Sequence, residues 1–132
     1  MDEEPDDRTI EAVGRLTEGL ETVERARGHL YSFHQLTGEA DFKIGDAVDQ
    51  LRAAGHAEIA DRLQHEIVGR NVIEGRWTFQ IMEEYDDTYW SAVREAERVV
   101  REELTGGRRH LAEAALKEER RTHGHPHHTP EP

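Results

Sequence analysis

Four carboxylates, Glu83, Glu84, Asp86 and Asp87, fall within Gly75–Trp90, together with both tryptophans, Trp77 and Trp90, the ring of Phe79, and two of the three tyrosines, Tyr85 and Tyr89. On a helix, Glu83 shares a face with Asp86 or Asp87, and Glu84 shares one with Asp87 or Thr88, because residues three and four apart are neighbours. Carboxylates grouped in this way can ligate a divalent metal once an imidazole joins them, or they can neutralise guanidinium groups as ion pairs. A second set of polar residues, Arg27, His29, Tyr31 and His34, offers both kinds of partner. The metal reading uses Glu84, Asp87 and His34. The ligand-surface reading uses Arg27, His29, Tyr31, His34, Trp77, Glu83, Tyr85 and Trp90.

Other arrangements are weaker. A ferritin-like di-metal site asks for Glu-x-x-His on two helices, and no Glu stands three residues before His29, His34 or His65. Glu21 and Glu24, with Glu58 and Asp61, are similar to the magnesium-binding pattern of all-α nucleoside triphosphate pyrophosphohydrolases, a hard-oxygen set that suits Mg²⁺. A chain this acidic produces such pairs by chance. His29 and His34 are five residues apart and point about 140° away from each other on a straight helix, so they cannot chelate one ion together. Ser32 and Ser91 supply hydroxyls, but neither sits at the sharp turn that exposes a nucleophile. His123, His125, His127 and His128 could coordinate Ni²⁺, Cu²⁺ or Zn²⁺, as many low-complexity tails do without purpose. The cofactor is therefore unknown, with a divalent metal ion the one candidate.

These side chains need helices to position them. Asp6 or Asp7 can cap a first helix over about Thr9–Leu36, in which Val13, Leu16, Leu20, Val23 and Leu30 step by three and four while Arg27 and His34 take seam positions. Thr37-Gly38 is expected to end it. Asp41 then opens a second helix with Phe42, Ile44, Val48 and Leu51 on its apolar side, closed by Ala54-Gly55. A third covers about Ala57–Val68 through Ile59, Leu63 and Ile67. After a loop over 69–75, a long helix runs from about Trp77 to Leu104 and stops at Thr105-Gly106-Gly107, and a last one spans about Arg108–Arg121. Gly14, Gly19 and Gly28 in the first helix permit close backbone approach. No strand-like alternation and no repeat occur.

The pattern predicts an all-α antiparallel bundle: two long helices, a short helical hairpin between them, and a C-terminal helix. Residues 1–8 form an acidic lead-in, 9–121 a single helical domain, and 122–132 a His/Pro-rich tail expected to be disordered. Antiparallel threading pairs residues of the first and fourth helices whose numbers sum to about 114, bringing Arg27 near Asp87 and Val13 near Arg101.

The formal charge of −12 repels phosphate backbones and anionic lipid, so neither nucleic acid nor membrane is the expected partner. No stretch approaches the roughly 18 apolar residues of a span, and the acidic start is unlike a secretory leader, which predicts a cytoplasmic location. Cysteine is absent, so disulfides and thiolate chemistry do not arise. Leu, Ile, Val and Phe number 26, a thin core for one subunit, and a homodimer that buries a second apolar stripe is expected.

Tyr31-Ser32-Phe33-His34-Gln35-Leu36-Thr37-Gly38 and Gly75–Trp90 resemble the two most recognisable stretches of a family of short, uncharacterised actinobacterial proteins. The resemblance spans most of the chain and implies a bacterial cytoplasmic setting, with no activity, cofactor or site residue attached. Taken together, the residues favour a non-catalytic helical binding or assembly protein that is homodimeric or has another protein partner. The alternative is a metal-dependent enzyme with a carboxylate/His site, including a pyrophosphohydrolase-like magnesium site.

Overall fold

Val13, Leu16, Leu20, Val23, Arg27, Leu30, His34, Thr37, Asp41, Ile44, Val48 and Leu51 follow an unbroken three-four alternation, and every one of them is buried or half-buried. In the computed structural model, which describes residues 4–132, this repeat forms a single helix, α1 (Asp7–Ala53). The expected break at Thr37-Gly38 is absent, and the two expected helices are one. Thr37 Oγ1 donates to the Phe33 carbonyl at 2.7 Å, a bond made inside a continuing helix. A glycine costs a helix up to about 1 kcal/mol relative to alanine, less than burying Ile44 and Val48 on the same stripe returns. Asp41 starts no helix; its carboxylate accepts from the Gly69 amide at 2.9 Å.

Within the lead-in, whose residues 1–3 lie outside the described ones, the expected cap forms and the helix begins at Asp7. Asp6 Oδ1 accepts from the Thr9 amide at 2.7 Å and caps α1. The amide and hydroxyl of Thr9 hold the Asp6 carboxyl below its ordinary value. At the far end, Gly55 turns left-handed at φ 92° and His56 N–H closes onto the Leu51 carbonyl at 2.9 Å.

The chain continues through α2 (Ala57–Glu66), α3 (Thr78–Glu84), a π-helical turn (Tyr85–Trp90), α4 (Ser91–Thr105) and α5 (Leu111–Arg120). The protein is all-α. Among the described residues extended pairing is limited to one isolated bridge, Ile73 with Arg76, and no helix is long and apolar enough to cross a membrane.

The residues expected to form one domain sort into two compact units. In the unit Arg25–Tyr89, Val48, Ala60 and Met82 are the buried apolar side chains. The inward face of α2 is therefore set by Ala60, whereas Ile59 and Ile67, two of the residues whose spacing marks this helix, are exposed. In the unit formed by residues up to Glu24 with Trp90–Pro132, Val13 and Leu20 of α1 are buried beside two polar residues of α4, Glu97 and Thr105.

Thr105 explains why α5 starts three residues later than its composition suggests. Its hydroxyl lies 2.7 Å from the Arg101 carbonyl and 3.1 Å from that of Arg108, while its own carbonyl accepts from Arg108 Nε at 3.1 Å. Gly106, Gly107 and His110 all turn left-handed within this corner. Gly14 then lets α5 approach α1: a Cβ there would sit 2.7 Å from that of Ala112. The tail, expected to be disordered, turns back on the end of α5, with the Thr122 amide donating to His128 Nδ1 at 2.9 Å and Arg121 Nη1 to the His128 carbonyl at 3.3 Å.

Candidate functional site

Arg27 occupies a seam position of α1, where an apolar residue belongs, so its guanidinium must find a partner on the facing helix. That partner is Asp86, in the first turn of the π-helical segment. Nε donates to Oδ1 at 2.6 Å and Nη2 to Oδ2 at 3.0 Å, a two-pronged pair with about a third or less of either side chain exposed. Tyr31, one turn further along α1, completes the group. Its hydroxyl accepts from Arg27 Nη2 at 3.0 Å and donates to Asp86 Oδ2 at 3.3 Å, and the guanidinium carbon lies 4.7 Å from the centre of its ring. The hydrogen bonds from Arg27 hold the Asp86 carboxyl below its ordinary value, and its charge and the Tyr31 hydroxyl pull the same way.

One heptad along α1, His34 Nδ1 and Thr78 Oγ1 lie 2.6 Å apart, the tautomer deciding which donates. The pairs Arg27–Asp86 and His34–Thr78 have numbers summing to 113 and 112, close to the expected 114. The antiparallel register holds although the turn that produces it differs. The ten-residue α2 covers about 15 Å of the return along α1, and the loop over 67–77 covers the rest.

That loop and the start of α3 carry the second feature of this unit. Trp77 immediately precedes α3, its amide donating to Gln80 Oε1 at 3.0 Å, and its indole N–H donates to Asn71 Oδ1 at 2.6 Å. The ring meets the edge of Phe79 at a centroid distance of 5.4 Å and remains 56% exposed. It borders a groove of about 560 Å³ whose other walls are Thr37, Ala40 and Ile44 of α1 and Ile67 and Val72 of the loop. The size is that of a small-ligand or side-chain pocket.

The remaining expected residues are dispersed. His29 and Glu83 are exposed. Glu84 forms an ion pair with Arg76, and Tyr85 packs its ring 5.5 Å from that of Tyr89. Trp90 belongs to the other unit, where Arg94 lies over its ring at 5.1 Å. The three expected metal ligands, Glu84, Asp87 and His34, do not converge: among the described residues no three His, Asp or Glu side chains are grouped as an ion requires. The two acidic pairs with pyrophosphohydrolase-like spacing fall in different units, and Asp61 is ion-paired with Arg52 at 2.6 Å.

The sequence reading missed a buried polar group in the unit that holds α4 and α5. Glu97, 6% exposed, accepts from Thr17 Oγ1 at 3.2 Å and from Arg101 Nε at 2.9 Å, and Arg101 Nη1 donates to the Gly107 carbonyl at 2.8 Å. The available signal was spacing, because Glu97 stands at a three-four interval with Val93 and Val100 and so takes a seam position of α4. No protein-family model, curated protein or solved structure matches the chain.

Proposed function

We propose that this protein is a non-catalytic binding and assembly module that forms a homodimer through the unit Arg25–Tyr89. The observation that carries the reading is a mismatch between core and surface. Of the twelve large hydrophobic side chains exposed among the described residues, ten lie in this unit, against three buried apolar ones. An exposed apolar surface of that extent costs solvation free energy unless a second surface covers it.

On α1 the exposed side chains Phe33, Leu36, Ala40 and Ala47 keep the same three-four spacing as the inner seam, the pattern by which a helix packs on a second helix. Ala40 also borders the Trp77 groove, so stripe and groove are continuous. Lys43 interrupts the stripe, but its ammonium is drawn aside to Glu39 at 3.2 Å, leaving the hydrocarbon stem to cover apolar surface. The titratable groups point to a structural role. Arg27, Tyr31 and Asp86 hydrogen-bond one another, an arrangement that fixes their geometry. The alternative, a metal-dependent enzyme, would require Glu84 to leave Arg76 and His34 to leave Thr78. The charge of −12 accords with a cytoplasmic protein that avoids nucleic acid.

Sedimentation velocity tests the reading. The wild type is expected to be dimeric at about 10 µM, an affinity that a helix-helix interface supplies, and Leu36→Lys is expected to be monomeric with an unchanged helical circular-dichroism spectrum. A wild type that stays monomeric to about 200 µM would rule out the homodimer, and a Leu36→Lys variant as dimeric as the wild type would remove this face from it.

A further inference from the structure

The unit built from the start of α1, α4 and α5 contains a cleft of about 720 Å³ whose walls carry opposite charge. Glu21 and Glu24 line it from α1, and Arg94 and Arg109 line it from α4 and the corner that follows. Most charged residues in this region are already committed. Arg98 is held between Glu95 at 2.6 Å and Glu102 at 2.8 Å, and Arg101 and Glu97, which also line the cleft, form a nearly buried ion pair. Glu21, Glu24 and Arg109 pair with nothing among the described residues, and Arg94 is engaged only through its face, over the Trp90 ring. Leu20 and Trp90 contribute apolar surface to the same lining.

A lone cation would meet the guanidinium groups and a lone anion the carboxylates, so each is repelled by half of the cleft. A molecule carrying both charges satisfies both walls, and a short hydrocarbon spacer between them would lie on Leu20 and Trp90. We infer that this cleft binds a small zwitterion, its ammonium group at Glu21 and Glu24 and its oxyanion, phosphate or carboxylate, at Arg94 and Arg109. The volume suits a metabolite of that size. Guanidinium suits either oxyanion through paired N–H donors.

Proton–nitrogen NMR of the full-length chain tests this, because the two indole N–H signals report separately, that of Trp90, a residue that lines the cleft, and that of Trp77 in the other unit. O-phosphoethanolamine and β-alanine serve as zwitterions of the phosphate and carboxylate kind, with inorganic phosphate and ethanolamine as single-charge controls. A saturable shift of the Trp90 signal by either zwitterion at about 1 mM or below, with Trp77 unmoved, is the expected result. Each control is expected to bind at least about tenfold more weakly. Arg109→Gln and Glu21→Gln, both exposed and outside the buried network, should each weaken binding by about fivefold or more. No saturable shift with either zwitterion, equal binding of phosphate alone, or a shift that survives both substitutions would overturn the assignment. The dimer test concerns the other unit, so the two outcomes are independent.

Discussion

The Arg27–Asp86–Tyr31 group makes a prediction that pH can isolate. Asp86 titrates below its ordinary value of 3.8, because Arg27 donates to it and Tyr31 adds a further bond. A carboxyl depressed on folding stabilises the native state fully above its unfolded value and loses that contribution as pH falls through the folded one. Asp86→Asn is therefore expected to destabilise the protein by about 1–2 kcal/mol at pH 7, and the difference from wild type should shrink below about pH 4 and vanish in stronger acid. Urea unfolding at pH 7, 4 and 2.5 measures both halves; a difference that grows on acidification would contradict the assignment. Glu97 is a sharper case, since its side chain and that of Arg101 are 7% and 11% exposed. Glu97→Ala leaves a buried guanidinium without its counter-charge and should cost about 3 kcal/mol. Glu97→Gln keeps an acceptor for Thr17 and Arg101 and should cost less, as thermal melts of the two variants would show. The first of these groups was nearly legible in the sequence, with Arg27 assigned to the neighbouring carboxylate within one turn. Glu97 was hidden by its company, because it stands among other charges, Arg94, Glu95, Arg98 and Glu102.

At the scale of elements, α1 is the main departure from the sequence reading. Thr-Gly is a common helix stop, but a stop also needs the glycine to turn left-handed, and spacing alone does not reveal φ. Gly55, Gly106 and Gly107 do turn and do end helices, whereas Gly38 stays within α1. The clue lay in the three-four pattern, which passes through Thr37 and Asp41 without a change of phase once polar residues are admitted to it. Gly38→Ala separates the alternatives. Nothing lies within 4 Å of the added methyl, so the substitution should stabilise α1 by up to about 1 kcal/mol, whereas a left-handed cap at that position would be destabilised; differential scanning calorimetry gives the sign. Gly14→Ala should do the opposite despite alanine's better helix propensity, because its methyl collides with Ala112 on α5. Adding Ala112→Gly removes the collision at a cost in α5 helix propensity, so the double mutant is expected to lose less than the two single substitutions summed, and strictly additive losses would refute the contact. The position of α5 was less legible, since its start is delayed by the Thr105 corner, where the Thr105 hydroxyl bonds the Arg108 carbonyl in the turn as well as that of Arg101 in α4.

At the scale of the molecule, net charge and apolar surface oppose each other. Two copies each carrying −12 repel, so the proposed dimer should tighten when salt screens them, by about tenfold between 20 mM and 300 mM NaCl. Sedimentation equilibrium at both salt concentrations checks this, and weakening by salt would indicate a charge-paired interface in place of an apolar one. A repeating helix also poses a problem of indexing. A three-four pattern looks the same after a shift of seven residues, so apolar packing alone cannot tell one heptad from the next. Arg27 and His34 stand seven apart at equivalent places in the repeat, yet one faces a carboxylate and the other a hydroxyl. A slipped pairing would bring the imidazole to Asp86 and strand the guanidinium. The two residues thus act as page numbers on an otherwise uniform strip, and exchanging them, Arg27→His with His34→Arg, would leave the composition unchanged while miscounting the fold.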